Sequence, residues 1–352
     1  MSLSELAVDD LRCIRHAELQ LHPNVNLIWG GNAAGKTSLL EAVFMLGRGR
    51  SFRTRSSEKL IHHEASQLVV FGRTFGPRQR ALGVRVTRDG GTEARIDGLA
   101  AASLAELSQV FAVQAIEPGA HRLIEEGASR RRRWLDWAVF HVEPSFLPAW
   151  SQYTRALRQR NASLRLDSAT ASVWEAELAR WGEVVAECRQ RFVERLQPVW
   201  TPLVQELAGL PVEMRYARGW PSEVSLASAL ADSRDRDLAR GTTQVGPHRA
   251  DLVLRFGRTL ARDTLSRGQQ KLVAIALTLA QVRLLSELTG THPTLLLDDP
   301  AAELDRARLA QFAALVSELA CQIVVTSLQA DVGWLGRPDR VFHVEHGVVQ
   351  QV

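Results

Sequence analysis

Residues 30–37 read Gly-Gly-Asn-Ala-Ala-Gly-Lys-Thr, a full match to the pattern G-x-x-x-x-G-K-[ST]. No other segment constrains the fold as tightly, because this loop works only between a strand and a helix. Its glycines let the backbone curl so that successive N–H groups face one anion, and the N-terminus of the next helix adds partial positive charge. The flanks agree. Val25-Asn26-Leu27-Ile28-Trp29 reads as a strand, and Leu39, Leu40, Val43, Phe44 and Leu46 form the apolar face of a helix that Gly47 and Gly49 stop. Gly30, Gly31, Asn32, Ala33, Ala34 and Gly35 are then expected to cradle the phosphates of ATP. Lys36 is expected to bind the β- and γ-phosphates and act in catalysis, and Thr37 to ligate Mg²⁺.

Far downstream, Thr294-Leu295-Leu296-Leu297-Asp298-Asp299 reads as a buried strand ending in two carboxylates. Parallel sheets bind ligands at this end of a strand. Asp298 is assigned to the metal, directly or through water, and Asp299 to polarising the attacking water. Between the two motifs, Leu265-Ser266-Arg267-Gly268-Gln269-Gln270-Lys271 opens a helix. It resembles the LSGGQ-type signature of ABC-type ATPases, with Ser266, Gly268 and Gln269 matching and Arg267 in place of a glycine. Ala302-Glu303-Leu304-Asp305 resembles the D-loop of that class, while Thr326-Ser327 stands where its transporters carry a switch histidine.

Composition removes other classes. The chain has 352 residues, 45% of them hydrophobic and 23% charged, which excludes disordered, collagen-like and disulfide-dense proteins. No apolar run is expected to reach the roughly 18 residues that span a bilayer, and the N-terminus lacks a signal-peptide pattern, so no membrane role and a cytoplasmic location are expected. Cys13, Cys188 and Cys321 form no metal or disulfide pattern and read as buried hydrophobes. The net charge is +4, and lysine occurs only at Lys36, Lys59 and Lys271, leaving the basic side almost entirely to arginine. Codon bias explains that excess without a nucleic-acid role, although arginine's planar fork also suits phosphate.

The expected fold class is α/β: an ABC-type P-loop ATPase head, with a mixed sheet, helices and an antiparallel β flap, carrying an inserted α-helical lobe. Residues 1–128 hold the N-terminal half of the head. Its flap strands run over Leu68–Phe71, Ala81–Val86 and Ala94–Asp97. Residues 129–240 form the lobe, where Trp174, Leu178, Trp181, Val185, Cys188, Phe192, Leu196 and Val199 line one face of a helix of about seven turns. The tryptophans at 134, 137, 150, 174 and 181 are expected in its core. Residues 241–352 complete the head as strand 250–256, helix 268–288, strand 294–298, helix 303–319 and strand 322–326, the alternation of a parallel sheet.

Spacing between the phosphate loop and the signature is too long for a transporter subunit, and long heptads are missing. The chain resembles the RecF family of bacterial recombination mediators, relatives of the SMC proteins, over essentially its full length. Asp10-Leu11-Arg12, Gly49-Arg50-Ser51-Phe52-Arg53, Arg131-Arg132-Arg133-Trp134-Leu135-Asp136, Arg160-Asn161, Gly246-Pro247-His248-Arg249 and the Ser-Arg-Gly-Gln signature carry the resemblance. The family's loop is richer in glycine than Asn32-Ala33-Ala34, and Ala250 replaces its usual Asp. The resemblance implies an ATP-dependent homodimer that binds gapped DNA or single-strand/double-strand junctions, hydrolyses ATP slowly, and works with RecO and RecR to load RecA. In such a dimer Lys36 and Thr37 of one chain would meet Ser266 and Gln269 of the other. The alternatives are an ATP-binding DNA scaffold with negligible hydrolysis and a transporter-type ATPase subunit.

For DNA contact the candidates are Arg48, Arg50, Arg53 and Arg55, interleaved with Phe52, with Arg130 to Arg133 as a weaker second cluster. Gln114, at the end of an expected strand over 110–113, is the candidate Mg²⁺-sensing glutamine at the entry to the lobe.

Overall fold

The computed structural model describes residues 2–54, 56–76, 78–166 and 171–352. It divides into two compact units, residues 1–120 with 290–352, and residues 121–289. The expected boundaries after residues 128 and 240 fall instead after residues 120 and 289. Residues 241–289, signature included, pack with the helical lobe.

The first unit holds two six-stranded sheets. One is antiparallel throughout: Ile14–Gln20, Leu3–Leu11, Gln67–Thr74, Ala81–Thr87, Thr92–Ile96 and Leu99–Ala100, in that order. The expected flap is therefore the far half of a larger sheet that begins with the first two strands. The other runs Val348–Gln351, Arg340–Glu345, Val25–Trp29, Ile323–Ser327, Thr294–Leu297 and Val113–Ile116, parallel except for its first strand. Helix Lys36–Arg48 lies in the core they share. Leu39, Val43 and Leu46 cluster with Leu6, Val70 and Val84 of one sheet and with Ile28, Leu296 and Val324 of the other. Such a helix buries all its faces, so the single apolar stripe expected from sequence extends around it.

Several expectations shift here. The helix expected over 303–319 is two, Pro300–Glu303 and Arg306–Ser317, because Asp305 caps the second by accepting from the Arg308 N–H. Residues 104–110 are helical, and the strand expected over 110–113 instead spans Val113–Ile116. Cys13 is exposed at the turn between the first two strands, and Cys321 is half-buried; only Cys188 is fully buried.

The second unit is mainly helical. Glu175–Ala208 runs 34 residues, continuing through Pro198 and Pro202, and packs against Phe146–Leu166 and Arg267–Thr289. Its buried stripe keeps the expected Leu178, Val185, Cys188, Phe192 and Leu196, leaves Trp181 half-buried, and then turns onto Trp200, Leu203 and Leu207. Of the five tryptophans expected inside, Trp137 is fully buried and the others are half-buried at the lobe's rim. Strand Asp251–Phe256 does not join the parallel sheet. It pairs antiparallel with Val212–Ala217 and Thr259–Leu260 in a three-stranded sheet of this unit. Contrary to the sequence expectation, helix Arg267–Thr289 is long and apolar enough to cross a membrane by length and composition. Its apolar window is 67% buried inside the unit, which makes it a core helix.

Buried charge organises this unit. Arg160 and Asp237 are both inaccessible to solvent and pair at 2.7 Å, with Thr243 and Glu175 taking further guanidinium protons. Asn161 accepts from the Thr243 N–H and hydroxyl at 2.8 Å. Arg189 forks onto Asp136 and donates to the Pro247 carbonyl. His248 donates from Nε2 to the Thr243 carbonyl, so its Nδ1 accepts from the Tyr153 hydroxyl at 2.6 Å. Burial pulls His248 down to about 4, which keeps the ring neutral.

Candidate nucleotide-binding site

The phosphate loop is held from three sides. At its start the Gly30 N–H donates to Ser327 O at 3.2 Å, tying the loop to the neighbouring strand. A Cβ on Gly30 would lie 2.1 Å from Val344 O, so only glycine lets strand 340–345 approach this closely. At the far end, the Gly347 N–H donates to Ala34 O at 2.9 Å. Three residues in the loop take positive φ, Gly30 at 157, Ala33 at 61 and Gly35 at 120. Glycine does so freely, whereas alanine does so at a cost of about 1 kcal/mol. The departure from the family's glycine-rich loop is thus a strained position.

Lys36 is buried and donates from Nζ to the carbonyls of Gly30 and Gly31, both at 2.8 Å. Burial lowers its pKa from the ordinary lysine value, opposed by the charges of Asp299 and Asp298. Beside it, the Thr37 hydroxyl donates to Asp298 Oδ1 at 2.9 Å, joining the loop motif to the downstream carboxylate strand. The Asp298 N–H donates to Ile116 O, and the Asp299 N–H donates to the Thr326 hydroxyl at 2.9 Å. Asp299 stands in left-handed backbone at φ 47, where the chain turns into Pro300–Glu303. Burial pushes both carboxyls above the usual aspartate range. The Thr37 and Thr326 hydroxyls work against that shift at Asp298, and Lys36 works against it at Asp299.

A hydroxyl and a carboxylate are hard oxygen donors, which suits Mg²⁺. Among the described residues no group of three or more His, Cys, Asp or Glu could hold a metal ion. The donor set therefore fits an ion whose remaining ligands are phosphate oxygens and water, as is usual for Mg²⁺ at nucleotide sites. Gln114 is not placed with these donors. It lies opposite Leu295, three residues before Asp298, is buried, and accepts from Arg48 at 3.2 Å.

In the second unit the signature residues open helix Arg267–Thr289 with a reciprocal cap. The Ser266 N–H donates to Gln269 Oε1 at 3.0 Å, and the Gln269 N–H donates to Ser266 Oγ at 3.3 Å. The space a Gly268 side chain would occupy is open. Arg267 is largely exposed, 3.6 Å from Glu125.

The arginine candidates separate. Arg48 donates to Val113 O and Gln114 and lies over the Phe44 ring, so the structure shows it as a tie between the loop helix and a strand. Arg50 and Arg53 are exposed, and Arg55 lies outside the described residues. In the second cluster Arg131 is buried against Asp251 and three backbone carbonyls, Arg132 binds Ala250 O, and Arg130 pairs with Glu126. Sequence reasoning missed Glu41. This fully buried carboxylate on the loop helix takes a fork from Arg12, a hydroxyl from Ser51, and Arg53 at 3.8 Å. The available signal was a glutamate inside the apolar run Leu39–Leu46.

Residues 2–350 match the family described as the RecF/RecN/SMC N terminal domain. The "DNA replication and repair protein RecF" of Chromohalobacter salexigens is 42% identical, covering 99% of this chain and 99% of its own. The chain belongs to the RecF family. A RecF of the same description from Stutzerimonas stutzeri is 41% identical over 100% of this chain and 98% of its own. A solved structure described as the recombination mediator protein RecF-ATP in the RecFOR pathway is similar with a TM-score of 0.89 at 27% identity, covering 100% of this chain and 97% of that one. The Smc head domain with an extended coiled coil from Pyrococcus furiosus gives 0.61 at 16% identity, over 100% and 96% of the two chains. The RecF fold of this chain is thus shared with SMC heads.

Proposed function

We propose that this chain is a recombination mediator of the RecFOR pathway in which ATP, held with Mg²⁺ at residues 30–37 and Asp298, acts as the adhesive of a homodimer on DNA. One observation carries the reading: the Thr37 hydroxyl of the phosphate loop and the carboxylate of the distant strand meet at 2.9 Å, next to Lys36. Backbone N–H groups of residues 30–35 and the helix N-terminus receive the phosphates, and Lys36 turns from the loop carbonyls to the β- and γ-phosphates. Thr37 and Asp298 hold the cation, which when bound neutralises charge on the β- and γ-phosphates. Asp299 orients the attacking water for slow hydrolysis. Ser266, Gly268 and Gln269 of a second copy close over the γ-phosphate, and hydrolysis releases the pair.

The DNA is a gapped duplex or a single-strand/double-strand junction, reached by Arg50 and Arg53. RecO and RecR are the partners with which the protein assists RecA loading in the cytoplasm. Sedimentation of the wild type and Lys36→Arg, with and without ATP and a gapped duplex, tests the reading. The wild type should shift to dimer with ATP and join the duplex, and the variant should remain monomeric. A wild type that stays monomeric with ATP rules the mechanism out.

A further inference from the structure

Thr326 is the next-to-last residue of strand Ile323–Ser327, beside the carboxylate strand, where the transporter pattern turns toward its histidine. It is fully buried, so its hydroxyl must find partners inside the protein. Those partners are the two aspartates of the site. The hydroxyl has one proton to give, and Asp298 Oδ1 at 2.9 Å is a closer acceptor than Leu297 O at 3.4 Å. Its lone pair takes the Asp299 N–H at 2.9 Å. Asp298 Oδ1 therefore receives two hydroxyl donors, Thr37 from the loop helix and Thr326 from the strand, and they fix the plane of the carboxylate. The same oxygen of Thr326 holds the peptide at which Asp299 adopts its left-handed backbone.

We propose that Thr326 is the positioning residue of this site: one hydroxyl orients the carboxylate that takes the cation and anchors the backbone that aims Asp299. The proposal rests on the nucleotide reading above and adds to it a residue outside all three motifs. A valine in its place keeps the shape but leaves the Asp299 N–H without its acceptor and Asp298 Oδ1 with the Thr37 hydroxyl as its one remaining hydroxyl donor.

ATP retention measured in EDTA and across a Mg²⁺ series, together with single-turnover hydrolysis, tests this on wild type, Thr326→Val and Thr326→Ser. In EDTA the valine variant should retain ATP within about twofold of wild type, while its half-saturating Mg²⁺ rises and its hydrolysis falls by about 10–100-fold. The serine variant, which keeps the hydroxyl, should return both to within about threefold of wild type. A valine variant with the wild-type Mg²⁺ dependence overturns the proposal, as does a serine variant as impaired as the valine one, since packing rather than the hydroxyl would then matter. Circular dichroism checks folding, and Thr326→Ala carries the same comparison if the valine variant does not fold. A wild type that retains no ATP under any condition is a separate failure, of the nucleotide reading itself.

Discussion

The two units use the same residue types in opposite ways. In the first, Lys36, Thr37, Asp298 and Asp299 sit at strand and helix ends, and burial shifts Lys36 and both aspartates toward their neutral forms. Desolvated charges without a full complement of partners mark a place built for a ligand. In the second, Arg160 reaches Asp237, Thr243 and Glu175, and Arg189 forks onto Asp136 and donates to the Pro247 carbonyl. Opposite charges paired in this way inside the protein hold a fold together. A motif in the sequence does not say which of the two it belongs to; the count of partners does.

The comparison predicts that polar substitutions cost stability in the second unit and binding in the first. The largest effect should come from Arg160→Met, which strands Asp237 without its buried partner. Urea unfolding should show a loss of about 3–5 kcal/mol, much of it recovered by the double variant with Asp237→Leu. A loss below 1 kcal/mol would break the contrast.

His248 gives the next effect. Its folded pKa of about 4 lies below the ordinary histidine value of 6.5, so its contribution to stability is complete above 6.5 and is lost as pH falls toward 4. The loss over that window should total about 3 kcal/mol, and His248→Gln should flatten it in a pH series of thermal melts. Lys36→Met should act in the opposite sense. ATP affinity should fall by about a hundredfold or more in equilibrium dialysis, while unfolding free energy changes by less than about 1 kcal/mol. The smallest effect belongs to the surface. Reversing Arg50 and Arg53 to Glu should weaken gapped-duplex binding by about tenfold and flatten its salt dependence, with thermal melts run alongside because Arg53 lies 3.8 Å from Glu41. Unchanged DNA binding would remove this pair as a contact.

The geometry of the candidate site was legible because its motifs need particular residues at fixed spacing: residues 30–37 lead from a strand into a helix, and Thr37 meets Asp298. The flap strands and the signature helix were legible through periodicity. Strand 251–256 was misassigned because alternation along the chain says nothing about which sheet a strand joins; its partner, Val212–Ala217, comes from the lobe. The bond between Gln114 and Arg48 was hidden for a related reason. Both are polar residues beside a site, and their bond to each other becomes visible only once helix Lys36–Arg48 is laid against strand Val113–Ile116. Glu41 escaped because a single residue inside an apolar run gives no pattern, and Thr326, though its position stood out, gave no sign of its contacts with both aspartates.

The clamp on the phosphate loop has a consequence in time. Residues 30–37 leave the ribosome early, but the strand against which Gly30 fits and the amide that binds Ala34 belong to residues 344–347, made more than three hundred positions later. Ser327 and Asp298, which tie the loop to its sheet, are also late. A nascent chain therefore carries its nucleotide motif long before it can hold a nucleotide. Competence for ATP then reports that synthesis has passed residue 347.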